Sequence, residues 1–262
     1  MILGHNEKER NRNSYPVQNG ACLVKRPCAV TAAAMPMSHA RLLSLAFLAF
    51  AMPQAAHAAA LNATGVVRDV TPDAIAYVPA SLRSPAPLIV LLHGAGGDAR
   101  LFLDAFKRDA DRRGVVLLSV QSSGRTWARR KPSDKEADVV NIETAMRVLS
   151  SKTPVDRNRV TVMGFSDGAS YALSIGMAYP KLFRTIVAFS PGYAFAPTRL
   201  DTSQRIFIAH SRRDRILPAD NTRQMVEALE RAGFAPEMHW FNGGHEIDTD
   251  LKKVAFDFAL SL

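Results

Sequence analysis

Residues 158–172 read NRVTVMGFSDGASYA and place a serine between two glycines where two sequence patterns meet. The β-branched run at 159–163 predicts a strand, and the small residues from Gly168 onward predict a helix. A serine on a tight strand-to-helix turn is lifted above the edge of a sheet, and glycines at 164 and 168 let the crossing backbones approach. The helix N-terminus beneath it supplies free N–H groups and a positive dipole end. Ser166 is therefore a candidate nucleophile.

Short apolar runs alternate with longer amphipathic runs from residue 74 onward. Near-continuous apolar runs are typical of parallel strands buried on both faces. The alternation predicts an α/β fold with a mostly parallel central sheet, helices on both faces and no separate cap domain. The predicted strands are 74–78, 87–92, 115–120, 159–163, 184–189, 205–209 and 236–241, with an edge strand expected within 61–73. The predicted helices are 98–113, 135–151, 168–179, 219–232 and 248–261.

A glycine-rich loop, HGAGG at 93–97, directly follows predicted strand 87–92. In such sheets, ligands bind at the carboxyl ends of the strands, so this loop is expected to lie at the substrate-binding site. It resembles the His-Gly-x-Gly oxyanion loop of esterases, which implies that the N–H of Ala95, or of its neighbour Gly96, is one oxyanion donor. The N–H of Asp167, at the start of the helix after the serine, is the predicted second donor. A phosphate-binding loop is the alternative, but the Lys-Ser or Lys-Thr that such a loop requires is absent.

A serine nucleophile needs a general base, and four histidines follow residue 58. His93 is expected to brace the glycine-rich loop by hydrogen bonding. His239 lies within a predicted strand and is expected to pack, and His210 ends a predicted strand and is expected to shape the next loop. His245 lies on the glycine-rich loop after the last strand, from which an imidazole can reach the serine. His245 is therefore the predicted base.

The base needs an orienting carboxylate, and the loop after predicted strand 205–209 offers one. Asp214 is the predicted acid, and Asp220 is the alternative, because Asp220 can instead cap helix 219–232. The chain order Ser166, Asp214, His245, with each residue after a successive sheet element, is the order expected for a nucleophile on a strand-to-helix turn.

Residues 1–58 are interpreted as a leader that is removed on export, with 1–34 an upstream extension. The apolar run at 42–52 follows Arg41 and precedes the small-x-small site Ala56-His57-Ala58, which is typical of a secretory signal peptide. Eleven helical residues rise only about 17 Å against a hydrocarbon thickness of roughly 30 Å, so no permanent membrane span is predicted. A mobile apolar N-terminal arm is the alternative. Residues 59–262 are predicted to form a single catalytic domain.

Composition argues against several other functions. The chain has 33 Lys+Arg and 24 Asp+Glu, of which the first 58 residues hold six and two, so the remainder carries a net charge of +5. The remaining basic residues are scattered and not interleaved with aromatic residues, which argues against nucleic-acid binding. Both cysteines, Cys22 and Cys28, precede residue 59, so neither a disulfide framework nor a thiolate nucleophile is expected after it.

The segments that carry these candidates are HGAGGDA (93–99), GFSDGASYALSIG (164–176), AFSPGY (188–193), HSRRDRILP (210–218) and FNGGHE (241–246). Together they resemble the bacterial phospholipase/carboxylesterase-type α/β-hydrolases, and they are also similar to poly(3-hydroxyalkanoate) depolymerase-like and feruloyl-type esterases. The resemblance implies the α/β-hydrolase fold and a serine esterase with no metal and no organic cofactor. Ser211 departs from relatives that often have glycine there. Three arginines at 212, 213 and 215 surround Asp214 and are expected to keep it ionised, or equally to prefer an acidic substrate.

Several aromatic and apolar residues are candidates for the wall of the substrate pocket. Trp127 lies in the loop after predicted strand 115–120, and related esterases often have tryptophan in this loop; packing on the body of the protein is the alternative. Further candidates, each of which could instead belong to the core, are Phe165, Tyr193, Phe195 and Leu217.

The sequence predicts an exported serine carboxylic ester hydrolase, periplasmic or secreted, that forms an acyl-enzyme. An uncapped, shallow site favours short-chain, aryl or oligomeric hydroxyacid esters over long lipid chains, and this ester is the only partner predicted. Two alternatives remain. A peptidase or amidase of the same fold usually carries an additional domain, and a non-catalytic binding protein usually lacks the nucleophile or the base.

Overall fold

A computed structural model describes residues 65–261, in which strands and helices alternate. The strands are β1 (Val66–Thr71), β2 (Ala74–Val78), β3 (Ala86–Leu92), β4 (Val116–Val120), β5 (Val155–Phe165), β6 (Thr185–Phe189), β7 (Arg205–Ser211) and β8 (Glu237–Phe241). The helices are α1 (Ala99–Asp104), α2 (Lys107–Arg113), α3 (Ala137–Lys152), α4 (Asp167–Ala178), α5 (Ala219–Arg231) and α6 (Thr249–Leu260). The leader and signal peptide predicted for residues 1–58 lie outside the described residues.

The described strands form one sheet in the order β1-β2-β4-β3-β5-β6-β7-β8. Pairing is parallel from β4 across to β8, and β1 and β2 are antiparallel. The mostly parallel sheet is therefore confirmed, and β1 is the edge strand expected within 61–73. Parallel strands carry the chain back to the same edge each time, so the loops after β3, β5, β7 and β8 meet at the carboxyl edge.

Alternating side chains of the central strands fill a core on each face of the sheet. In β3, Leu88 and Val90 face the cluster that packs against α3, α4 and α5, whereas Ile89 and Leu91 face the cluster that packs against α1, α2 and α6. Each such fully buried side chain contributes about 1.5–3 kcal/mol. The two-sided burial explains the near-continuous apolar runs in the sequence. Between the strands of residues 65–261, no segment forms a separate cap domain.

The single helix predicted over 98–113 is wrong, because the structure divides it into α1 and α2. Asp98 caps α1 by accepting the N–H of Leu101 (2.9 Å). The chain turns at Ala105 and Phe106, and Phe106 is fully buried, with its ring 5.0 Å from that of Phe102. Both aromatic rings thus belong to the core on this face of the sheet. None of the helices in the described part of the chain is long and apolar enough to cross a membrane.

Candidate active site

Ser166 lies on the turn between β5 and α4 in a strained backbone conformation. Its φ of 56° and ψ of −118° are unusual for a residue with a side chain. A Cβ on Gly164 would collide with the carbonyl oxygen of Gly168, and a Cβ on Gly168 would collide with that of Leu92. The tight turn and the close backbone approach predicted from the two glycines are therefore confirmed.

The three residues predicted as nucleophile, base and acid lie in one chain of hydrogen bonds. The Ser166 hydroxyl donates to Nε2 of His245 (2.8 Å), and Nδ1–H of His245 donates to Oδ2 of Asp214 (2.6 Å). This tautomer follows from the carboxylate, which can only accept. The side chains of His245 and Asp214 are 7% and 0% exposed, so water competes little for either contact. The arrangement can transfer a proton away from the serine.

The Asp214 carboxylate is held by its own loop. Its Oδ1 accepts the N–H groups of Ile216 (2.8 Å) and Leu217 (2.9 Å). Burial acts to raise the pKa of Asp214, but the hydrogen bonds from His245 and from these two N–H groups outweigh burial and hold the pKa below its usual value. Backbone and imidazole donors therefore keep the acid ionised.

The prediction that neighbouring arginines keep Asp214 ionised is wrong. Among the described residues, no arginine forms an ion pair with this carboxylate, and the titratable side chains within 4 Å of it are the imidazoles of His210 and His245. Arg212, Arg213 and Arg215 are exposed, and the guanidinium of Arg212 lies over the ring of Trp240 at 5.3 Å. The side chain of Asp214 is buried, whereas the side chains of the three arginines are exposed to solvent.

Asp220, the alternative acid, lies away from the base. Its side chain is 80% exposed, in the first turn of α5, and it pairs with Arg223 at 3.5 Å. The residue that precedes this helix at the capping position is Pro218, so Asp220 does not cap it through its side chain either. The structure brings His245 to Asp214 instead.

The other histidines have structural contacts, and one of them touches the acid. His239 on β8 lies 2.7 Å from Glu237 and stacks on Phe207, as expected of a packing residue. His210 is fully buried, with Nε2 2.9 Å from the carbonyl of Leu217 and 3.3 Å from Oδ2 of Asp214. From the sequence, His210 is expected only to shape the loop, and its contact with the acid is not predicted. The four-residue spacing between His210 and Asp214, at the end of a strand, was the available signal.

In the glycine-rich loop after β3, the N–H of Ala95 is available as an oxyanion donor. The N–H of Gly96 donates to the carbonyl of Arg125 (2.6 Å), whereas Ala95 is exposed and its N–H donates to no backbone group of the described chain. His93 braces the loop as predicted, because Nδ1–H donates to the carbonyl of Gly94 (2.7 Å). Burial lowers the pKa of His93, which favours the neutral ring. Of the two candidate donors in this loop, the geometry favours Ala95 over Gly96.

Asp167 presents its N–H as the first residue of α4. The first N–H groups of a helix have no partner within it, and the N–H of Asp167 donates to no other backbone group of the described chain. Among the described residues, Ala95 and Asp167 therefore offer N–H groups without a backbone partner, one on the glycine-rich loop and one at the start of α4.

The prediction that Trp127 forms a wall of the pocket is wrong. Trp127 is 1% exposed, and its ring stacks on Tyr171 with centroids 5.1 Å apart and planes inclined by 14°. Its indole N–H donates to the carbonyl of His93 (2.8 Å). The alternative, a tryptophan that packs its loop onto the body of the protein, is the arrangement observed.

The remaining pocket candidates lie near the site with different exposure. Phe165 is 7% exposed and packs against the ring of His245, with centroids 4.9 Å apart, so it supports the base and offers little surface to a substrate. Tyr193, Phe195 and Leu217 are partly exposed. The rings of Tyr193 and Phe195 meet edge to face at 5.3 Å. These three stay candidates for the pocket wall.

Comparison with known proteins identifies the family. The Phospholipase/Carboxylesterase family profile matches residues 125–258, which is just over half of the chain. Esterase YpfH of Escherichia coli (strain K12) is 26% identical over 201 residues, 69% of this chain and 85% of that protein. Feruloyl esterase B of Thermothelomyces thermophilus is 29% identical over 127 residues, 45% of this chain and 43% of that protein. The chain thus matches most of YpfH but less than half the length of the feruloyl esterase.

A solved structure supports the same fold. The Bacillus cereus carboxylesterase superposes with a TM-score of 0.54 over 76% of this chain and 95% of that one, at 22% identity, which supports the fold alone. Similarity to poly(3-hydroxyalkanoate) depolymerases stays a prediction. The chain belongs to the phospholipase/carboxylesterase family and has the α/β-hydrolase fold.

Proposed function

We propose that the protein hydrolyses carboxylic esters with Ser166 as nucleophile, His245 as general base and Asp214 as the orienting acid. The observation that carries this proposal is the chain of two hydrogen bonds, 2.8 Å and 2.6 Å long, that links the three side chains. It starts at a serine held on a strained turn at the N-terminus of α4. Strain of this kind at a solvent-facing nucleophile is typical of a functional position.

The reaction begins with transfer of the Ser166 proton. As Oγ attacks the ester carbonyl carbon, Nε2 of His245 takes the proton, and Asp214 stabilises the imidazolium that forms. The carbonyl π electrons move onto oxygen, and the N–H groups of Ala95 and Asp167 stabilise that oxyanion. The oxyanion collapses, the bond to the alcohol breaks, and His245 protonates the leaving oxygen. Water then attacks the acyl-enzyme by the same steps, which releases the acid and restores Ser166.

Short-chain, aryl and oligomeric hydroxyacid esters are the proposed substrates. The loops of the described chain leave the site without a separate cap domain, so little surface is available to bury a long lipid chain. The partly exposed rings of Tyr193 and Phe195 can contact an aryl group. One of the relatives is named as a feruloyl esterase, which favours aryl esters among these classes.

Export to the periplasm or the medium is part of the proposal. The basic flank, the apolar run at 42–52 and the small-x-small site support removal of residues 1–58. N-terminal sequencing of the protein recovered outside the cytoplasm tests this, and the expected first residue is Ala59. Recovery of a protein that still begins upstream of Ala59 would contradict it.

Covalent labelling tests the proposed nucleophile directly. A fluorophosphonate probe is expected to label the wild type at Ser166 and to leave Ser166→Ala unlabelled and without esterase activity. A panel of p-nitrophenyl esters of increasing acyl length, with feruloyl esters and hydroxybutyrate oligomers, then ranks the substrates. Turnover of aminoacyl anilides in preference to esters would instead favour a peptidase, and an unreactive Ser166 would favour a binding protein.

A further inference from the structure

Residues 125–127, here called the bridge segment, are hydrogen-bonded to the glycine-rich loop after β3. The carbonyl of Arg125 accepts the N–H of Gly96 (2.6 Å), and the indole N–H of Trp127 donates to the carbonyl of His93 (2.8 Å). These two contacts lie on either side of Ala95 in the chain. The bridge segment therefore holds the peptide that carries the first oxyanion donor.

The same segment is hydrogen-bonded to the residue after the nucleophile. The backbone N–H of Trp127 donates to Oδ2 of Asp167 (2.9 Å). The other carboxylate oxygen of Asp167 accepts the hydroxyl of Tyr193 (3.0 Å), and the guanidinium of Arg129 lies 4.0 Å from it. The backbone N–H of Asp167 is the second oxyanion donor, so the side chain of this residue fixes the position of its own main chain.

The bridge segment itself is firmly anchored. The buried ring of Trp127 lies between Tyr171, at 5.1 Å, and His93, at 5.2 Å. Asp138, near the start of α3, accepts the N–H of Ser123 (2.7 Å) and the N–H of Ala128 (3.1 Å), one on each side of the segment. An anchored segment that touches both donor loops can act as a fixed spacer between them.

We propose that the bridge segment sets the separation of the two oxyanion donors and that Trp127 is its main positioning residue. This inference rests on the proposed function, because it assigns a role within the same acyl transfer. Oxyanion stabilisation requires donors that are already placed about 2.7–3.1 Å from the developing charge. A displacement of about 1 Å can cost a hundredfold in rate. Residues that fix the donors therefore act on the transition state, and binding of the ground-state substrate is little affected.

Variants at the two ends of the bridge test the proposal. Trp127→Phe keeps an aromatic ring to stack on Tyr171 but removes the indole N–H, and Asp167→Leu keeps the approximate size of the side chain but accepts no hydrogen bond. Asp167→Asn keeps one oxygen for the N–H of Trp127. Tyr171→Phe is the matched control, because it removes only the hydroxyl that donates to Glu136 (2.8 Å) and retains the stacked ring.

The rate constants are measured with a short p-nitrophenyl ester. The concentration of active enzyme is taken as the concentration of serine that a fluorophosphonate labels to completion, so that unfolded protein is excluded from kcat. Trp127→Phe and Asp167→Leu are expected to lower kcat about 10- to 100-fold with little change in KM. Asp167→Asn, which retains an acceptor for the N–H of Trp127, is expected to recover most of the kcat that Asp167→Leu loses. Tyr171→Phe is expected to stay within a few-fold of the wild type. An alkyl trifluoromethyl ketone, which forms a tetrahedral oxyanion with the serine, is expected to lose affinity by the same factor as kcat/KM.

Unchanged kcat per labelled serine in both Trp127→Phe and Asp167→Leu would overturn the inference, even if both variants melt at a lower temperature. So would a loss confined to KM, or a trifluoromethyl ketone affinity that stays constant while kcat/KM falls. Failure of the proposed function is a separate result: in that case the wild type itself is not labelled at Ser166 and does not cleave the ester.

Discussion

His210 and His245 contact the same oxygen of Asp214. Nε2 of His210 lies 3.3 Å from Oδ2, and Nδ1 of His245 lies 2.6 Å from it. Nε2 of His210 also faces the carbonyl of Leu217 at 2.9 Å, so it faces two acceptors and must carry a hydrogen. Burial lowers the pKa of His210, which favours a neutral ring with that single hydrogen. The buried imidazole of His210 therefore holds the loop that positions Asp214 against His245.

Replacement of His210 by phenylalanine is expected to lower kcat by about tenfold or more with KM almost unchanged. The ring keeps its approximate volume, but the carbonyl of Leu217 and the carboxylate of Asp214 lose a donor, so the loop that holds the acid is less firmly fixed. Steady-state kinetics with a short p-nitrophenyl ester measure the effect. His239→Phe is the control, because His239 pairs with Glu237 at the sheet edge. Equal kinetics for both variants would show that His210 does not act on the acid.

The hydrogen bonds to Asp214 predict that the folded protein loses stability at acidic pH. Hydrogen bonds outweigh burial and hold its folded-state pKa below the value of about 3.9 that applies to the unfolded chain. The ionised carboxylate thus stabilises the fold above pH 4 or so, and this contribution disappears as the pH falls through the folded-state pKa. Urea denaturation of the wild type and of Asp214→Asn is expected to give a difference in unfolding free energy that shrinks from about pH 5 to pH 2. A difference that is constant over this range would contradict the assignment.

The burial of Glu136 predicts that its contribution to stability decreases as the pH rises, which is the opposite of the dependence expected for Asp214. Glu136 is 4% exposed, its Oε1 accepts the hydroxyl of Tyr171 (2.8 Å), and its Oε2 is buried without a hydrogen-bond partner among residues 65–261. Burial raises the pKa of Glu136, the charge of Asp138 adds to this, and the hydrogen bond from Tyr171 opposes it. The fold therefore favours the protonated acid. The contribution of Glu136 to stability is greatest below about pH 4.3, the pKa of the unfolded chain, and falls as the pH rises through the folded-state pKa.

Replacement of Glu136 by glutamine removes that ionisation. The free energy of unfolding of Glu136→Gln, minus that of the wild type, is expected to increase as the pH rises from about 4 to 8. Denaturation curves at four or five pH values are sufficient to measure the trend. Asp134→Asn is a suitable comparison, since Asp134 lies in the same loop and accepts the exposed hydroxyl of Tyr179 (2.7 Å). A flat difference for Glu136→Gln would mean that folding does not raise the pKa of this carboxyl.

Local patterns in the sequence were sufficient to predict most of the framework. The strand before Ser166, the close glycines and the helix after it depend on residues that are adjacent in the chain. The loop positions of Asp214 and His245 also follow from local pattern, because each comes directly after an apolar strand. A parallel sheet then brings such loops to one edge.

Contacts between distant segments were not predictable in the same way. Trp127 in a polar loop after a strand is compatible with either a pocket wall or a core position, and only the stacking on Tyr171 from another helix decides between them. The side-chain bond from Asp167 to the backbone of Trp127 spans 40 residues. For Asp214, the sequence shows three nearby arginines but does not show that their side chains point outward.

Alanine at either glycine of the nucleophile turn is expected to prevent normal folding. A Cβ at position 164 or 168 would overlap backbone carbonyl oxygens, those of Gly168 and Leu92, which cannot move without shifting β3 or α4. We expect Gly164→Ala and Gly168→Ala to lose more than about 4 kcal/mol of unfolding free energy, or to be insoluble. Gly124→Ala is the control, because a Cβ there would meet only the carbonyl of Thr126 at 3.6 Å. Soluble yield and urea denaturation measure all three variants, and a stable Gly168→Ala would show that the backbones at this turn are not in contact.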